Sequence, residues 1–450
     1  MSSAGKAQPL LHDPIPITLW RMTWPVIVGV LTLISFNLVD TFFISMLGTD
    51  ALAAVSFTFP VTFTVVSLSI GLGIGTSAVI ARKRGSGLHE HARFDGMTAL
   101  TVAALLAGSL ALLGYVLMEP IFQALGAQPQ LMPDIRAYMI PWFAGAMLLV
   151  VPMVCNSVLR AAGDTRTPSL IMAAGGLLNA IFDPLLIFGI GPFPELGIQG
   201  AAVASVLSWI IGSVVVLWYL KRKQLLSLQA PEGASWLRSA RAILKIGLPA
   251  ASANMLTPVA MAVLTAIVAT YGAPAVAAFG VGTRLESLAL VVVLALSMAL
   301  PPLMSQNFGA AYYQRMQEAY RTAIKAVLLV QLGIYLVLAA SAHYIALAFT
   351  NDPEVARLIR LFIYIMPLSY GLQGVIILTN SSFNAVHQPM SALILSIIRL
   401  FVMFVPLSYL GAVLADITGL FIGGVVANVI TASLAWWWFN KTLQRQQEST

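Results

Sequence analysis

The chain has 450 residues, of which 59% are hydrophobic and 9% charged, with a formal net charge of +7. About 25% of a soluble domain is charged, so a soluble globular protein is excluded and a bundle embedded in a bilayer is expected. The single cysteine, Cys155, cannot form an internal disulfide, and the basic residues lie in loops without interleaved base-stacking aromatics, which excludes a nucleic-acid groove.

In chain order, the first hydrophobic segment, 17–47, is too long for the core of a signal peptide and reads as the first membrane helix. It carries Pro25, Asn37 and Asp40. Further spans are predicted at 51–81, 93–117, 134–159, 168–190, 197–220, 242–271, 275–306, 316–342, 357–383, 389–411 and 414–440. Each is long enough for a helix to cross a ~30 Å hydrocarbon layer. Lys6, Arg82, Lys83, Arg84, Lys221, Arg222, Lys223 and most other cations fall on one side of these spans, and only Arg136, Arg357 and Arg360 on the other. The positive-inside rule then places both termini in the cytoplasm.

The second half repeats the first at an offset of 224 (249 − 25): Pro25 returns as Pro249, Gly48 as Gly272 and Gly85 as Gly309. The expected organisation is a cytoplasmic segment 1–16, a first lobe 17–220, a polar linker 221–240, a second lobe 241–440 and a cytoplasmic tail 441–450. The fold class is therefore an all-α integral membrane protein with twelve transmembrane helices in two six-helix lobes. Because each lobe has an even number of spans, the repeats share one orientation about a pseudo-two-fold axis along the membrane normal, with substrate expected between them.

Only three acids fall within spans: Asp40, Asp183 and Glu286. A charge at the centre of a membrane helix costs about 3 kcal/mol on insertion scales and is usually tied to transport, a relay or an ion. Asn37 and Asp40 are spaced i, i+3, and Asn179 and Asp183 i, i+4, so each pair shares a helix face. Two acids and two amides can surround one proton or one Na+ ion, the pair titrating as a unit. The structural alternative is that Asp183 caps a helical break before Pro184 while Asp40 bonds a neighbouring helix. The repeat breaks here, since Leu264 stands opposite Asp40, and two alike lobes of which one is ionisable read as a transporter. In the second lobe, Arg284 and Glu286 are two residues apart and do not share a face; Glu286 can bridge to Arg399 structurally or line a substrate path, and both readings stay open. The five histidines show no metal-ligand spacing.

Several stretches resemble the multidrug and toxic compound extrusion (MATE) family of the MOP flippase superfamily. They are Asn37-Leu-Val-Asp40-Thr, Leu159-Arg-Ala-Ala-Gly-Asp164-Thr-Arg-Thr-Pro168, Leu178-Asn179-Ala-Ile-Phe-Asp183-Pro, Gly282-Thr-Arg284-Leu-Glu286 and Pro301-Pro302 with Gln306-Asn307-Phe-Gly309. The pattern is most similar to the DinF-like branch, because the seventh and tenth helices lack the acids of the NorM branch. The resemblance implies a first-lobe cation site at Asp40, Tyr138, Asn156, Asn179 and Asp183, with Pro25 at a hinge in the first helix. It also implies a multidrug efflux antiporter of a bacterial inner membrane, not an enzyme, with no cofactor. Such a protein works as a monomer and exports amphipathic, often cationic drugs or dyes by alternating access in exchange for a coupling ion. Ala201 replaces a threonine that contributes to Na+ sites in some relatives, which favours H+ over Na+ at Asp40, Asn179 and Asp183. A lipid-linked precursor flippase of the same superfamily is the rival reading, and it needs cations for a pyrophosphate; only Arg284 and Arg399 lie within spans.

Overall fold

The computed structural model describes residues 9–448; Lys6 and the outer ends of the two predicted terminal segments lie outside the described residues. The helices are α1 (Pro9–His12), α2 (Ile15–Ser45), α3 (Thr49–Gly85), α4 (His89–Val116), α5 (Met118–Ala124), α6 (Met132–Ala161), α7 (Arg166–Ile187) and α8 (Ile198–Arg222). After a loop follow α9 (Trp236–Ala269), α10 (Ala273–Ala289), α11 (Val291–Gly309), α12 (Tyr313–Phe349), α13 (Pro353–Ile365), α14 (Tyr370–Ala385), α15 (Pro389–Ile397) and α16 (Val405–Glu448). No strand occurs among the described residues. In hydrocarbon every backbone N–H and C=O must be satisfied internally, and a helix does this within one segment.

Eleven helical runs among the described residues are long and apolar enough to cross a membrane. The last, Pro389–Glu448, is a hairpin. Ala415 (φ −150°, ψ 38°) and Asp416 (φ 51°, ψ −145°) leave helical geometry, and beyond them Gly419 packs on Gly411 and Gly423 on Leu407. Contacts whose numbers rise on one arm and fall on the other mean antiparallel arms, and the missing side chains let the two backbones touch. The chain thus makes twelve crossings in two lobes.

Several boundaries differ from the sequence expectation. The last turn lies at Ala415–Asp416, past the predicted end of span 389–411, and helix continues to Glu448 through the predicted tail. Span 275–306 is interrupted at Leu290. Span 357–383 is broken by a 3₁₀ turn over Met366–Ser369, where Pro367 offers no N–H and crowds the preceding turn. The linker is shorter than 221–240, because helix persists to Arg222 and resumes at Trp236. Its first residues fold back on α4, where the Ser227 amide donates to the Arg93 carbonyl at 3.2 Å.

Packing divides the described residues into two units: Trp24–Ala251, and the residues from Ser252 to Glu448 together with those from Pro9 to Thr23. The boundaries fall inside α2 and α9, next to Pro25 and its repeat partner Pro249, so the helix that opens each half changes unit at a proline. The described part of the segment predicted as 1–16, from Pro9 on, accordingly packs in the second unit. Leu10, Ile15, Leu19 and Met22 join its core, and Asn307 Nδ2 donates to the Leu10 carbonyl at 3.0 Å. In the first unit α6 packs against α3, α4 and α8, burying Cys155 as a packing residue. At the basic end, fully buried Asp95 accepts from Ser239 Oγ at 2.6 Å and pairs with Lys83 at 2.5 Å, which ties α3, α4 and α9 together.

Candidate functional site

Two helices position the first-lobe acids. Gly29 of α2 faces Ser169 of α7, where a Cβ would stand 3.1 Å from the serine Cβ. Gly176 of α7 faces the ring of Phe36. Further along, the Phe43 and Phe188 rings meet edge-on at 6.2 Å. These contacts rise together in number along both helices, so α2 and α7 run parallel in one register. Glycine permits the close approach because a side chain at either position would fill the gap.

That register brings the Asp40 and Asp183 carboxyls close to one another. Two carboxylates at that separation repel as like charges, and a proton or a cation between them relieves the repulsion. Asp183 is fully buried. Asn179 Nδ2 donates to Asp183 Oδ1 at 3.1 Å, one turn earlier on the same helix. Asp40 Oδ1 and Asp183 Oδ2 are buried without a hydrogen-bond partner. Tyr138 of α6 lies within electrostatic reach of both carboxyls and packs with Ile44, Ile187 and Ala201.

The structure also places two predicted residues elsewhere. Asn156 shares α6 with Tyr138 but stands five turns further along, about 27 Å of helix rise, so it does not join the carboxyl cluster. Asn37 is exposed, and among the described residues its side chain makes no hydrogen bond. Conversely, the sequence reading missed Ser205 of α8, whose hydroxyl accepts from Asn179 Nδ2 at 3.4 Å. It lies one turn beyond Ala201 on the same helix, so extending the Ala201 argument by four residues finds it. The cluster therefore offers two carboxyls, an amide and a hydroxyl, all of them oxygen donors suited to a proton or a Na+ ion. Pro25 lies about four turns before Asp40 on α2, roughly 22 Å.

The second lobe holds a separate polar cluster. Gln373 Nε2 donates to Glu286 Oε1 at 2.8 Å, in place of the bridge from Arg399. Arg399 lies within electrostatic reach of Glu286, yet its Nε has no hydrogen-bond partner, and no ion pair within 4.0 Å includes it among the described residues. It is carried by a π-helical turn, Ile398–Phe404, a geometry often found at functional sites. The Tyr370 hydroxyl is also near Glu286 and buried without a partner. Arg284 is on the exposed side of α10. Gln373 and Tyr370 carry no charge, and nothing in the sequence separates them from packing residues.

Comparison with known proteins matches the MatE family at residues 25–185 and 249–410, two stretches whose starts differ by the 224 residues of the internal repeat. The chain is 42% identical to the FAD transporter of Shewanella oneidensis over 94% of this chain and 93% of that one. It is 24% identical to the multidrug export protein MepA of Staphylococcus saprophyticus, over 91% of this chain and 90% of that one. The Vibrio cholerae MATE transporter VcmN, crystallised in a bent form, superimposes with a TM-score of 0.92 at 36% identity, over 96% of this chain and 98% of that one.

Proposed function

Since this chain belongs to the MatE family of membrane transporters, we propose that it exports small molecules in exchange for protons carried by the Asp40–Asp183 pair. The observation that carries this reading is the contact of two carboxyls in low dielectric, each keeping one oxygen without a partner. When a proton leaves the pair, two like charges stand side by side, and repulsion separates α2 from α7 at that level. Pro25, where α2 changes packing unit, is the point at which the helix yields, because its i−4 hydrogen bond is already missing. Movement of α2 thus follows occupancy of the pair, which is the coupling an antiporter needs. The membrane is a bacterial cytoplasmic membrane, with the basic loops and both termini inside.

Ser205 supports a second ion. Its hydroxyl restores an oxygen on the helix where Ala201 lacks one, so Na+ coupling is the alternative at Asp40, Asn179 and Asp183. For the substrate, 42% identity to a flavin dinucleotide transporter favours an anionic flavin nucleotide over the amphipathic drugs and dyes of the more distant relatives. Arg399, a membrane cation with no ion-pair partner among the described residues, is suited to that charge, with Glu286 within electrostatic reach and Gln373 and Tyr370 near Glu286 as further polar groups.

The test is transport in proteoliposomes under an imposed proton or Na+ gradient, with FAD and a cationic dye as substrates, for the wild type and Asp40→Asn. Transport of either substrate that follows the proton gradient and falls at least tenfold in Asp40→Asn is expected. Transport that follows Na+ shifts the reading to the Ser205 alternative. Efflux that persists in Asp40→Asn overturns the role of the pair, and no transport under either gradient brings the lipid-linked flippase forward.

A further inference from the structure

A groove of about 260 Å³ runs between α7 and α8, apart from the carboxyl pair. Its wall is made by Leu170, Ala174, Leu178, Ile211 and Val215, together with Gly175 and Gly212. A Cβ added at either glycine would meet nothing within 4 Å, so the groove exists because two side chains are absent on facing helices. From Thr167 to Leu178 it extends about 16 Å along α7. That is about half of a ~30 Å hydrocarbon layer, the depth of a single leaflet.

The apolar wall ends on one side only, at the end that carries the basic loops. There the Thr167 hydroxyl donates to Asp164 Oδ2 at 2.7 Å, and the Tyr219 hydroxyl lies 3.2 Å from Thr167 and 3.3 Å from Asp164. These polar groups satisfy one another. Around them stand three cations: Arg166 at the start of α7, Arg222 stacked over Trp218 at 5.4 Å and Lys223 over the Tyr219 ring at 5.5 Å. Against them stands one carboxylate, Asp164, whose oxygens are already engaged. A one-leaflet apolar slot that opens beneath an excess of positive charge is complementary to a lipid with an anionic head. We propose that the α7–α8 groove binds an anionic phospholipid, with one acyl chain against Gly175 and Gly212 and the headgroup on Lys223, Arg222 and Arg166.

The experiment uses the full chain purified in neutral detergent and titrated with phosphatidylglycerol or with phosphatidylcholine of the same acyl chains. Binding is read by native mass spectrometry and by thermal melting. Phosphatidylglycerol is expected to stay bound and to raise the melting temperature, and phosphatidylcholine to do so far less. The double variant Gly175→Leu, Gly212→Leu is expected to weaken phosphatidylglycerol binding about tenfold and to remove the melting shift. In detergent alone it should melt no lower than wild type, because leucine is the better helix former in open space. Should that variant fail to fold, Lys223→Glu, which leaves the groove intact, serves as the second test and is expected to abolish the preference between the lipids. Equal binding of both lipids by the wild type, or undiminished phosphatidylglycerol binding by the variants, overturns the proposal.

Discussion

Asp183 is held more firmly than Asp40, because it is fully buried and accepts from Asn179, whereas Asp40 is partly accessible and one of its carboxyl oxygens has no hydrogen-bond partner among the described residues. A hydrogen bond to a charged group contributes about 1.5–3 kcal/mol and a long neutral one about 0.5 kcal/mol. Replacing Asn179 by Leu is therefore expected to lower proton-driven transport by roughly ten- to a hundredfold. Ser205→Ala should leave it within about threefold, while abolishing any Na+-driven component. Initial rates in proteoliposomes under each gradient separate the two. A strong loss of proton-driven rate in Ser205→Ala would make the hydroxyl part of the proton site itself.

At the scale of helices, the site depends on the parallel register of α2 and α7. Valine at Gly176 would drive its side chain into the Phe36 ring, and overpacking of this kind costs about 1–3 kcal/mol. Gly176→Val is expected to lower the melting temperature and to disable transport together, since the same gap sets both packing and the meeting of the acids. Pro25→Ala should separate these effects. It restores a backbone hydrogen bond in α2, so the expected outcome is unchanged or higher thermal stability with transport reduced several-fold; full transport in this variant would remove Pro25 from the mechanism.

For the whole molecule, the charge asymmetry of the loops predicts which ends face the cytoplasm. The native chain suits a cysteine-labelling test because Cys155 is its only thiol and is buried. A membrane-impermeant maleimide is expected to label Gln128→Cys in intact cells and Gln229→Cys only after the membrane is opened. The reverse pattern would invert the topology, and with it the direction of transport.

The sequence by itself determined the class of protein, the number of crossings, the two-fold repeat and the acids placed in hydrocarbon. These are legible because the cost of putting a charge or an unpaired peptide group into a bilayer is assessed residue by residue along the chain. The five-turn separation of Tyr138 and Asn156 was equally legible, since both fall in one predicted span. Tertiary structure alone decided that Asp40 meets Asp183, that Ser205 and Gln373 reach the polar clusters, that Arg399 rides a π-helical turn and that α2 and α9 change unit at their prolines. Those outcomes depend on how closely two helices approach and in what register. That is set by which residue faces each glycine across the gap, as Ser169 faces Gly29 and Phe36 faces Gly176, and no period within a single helix encodes its partner.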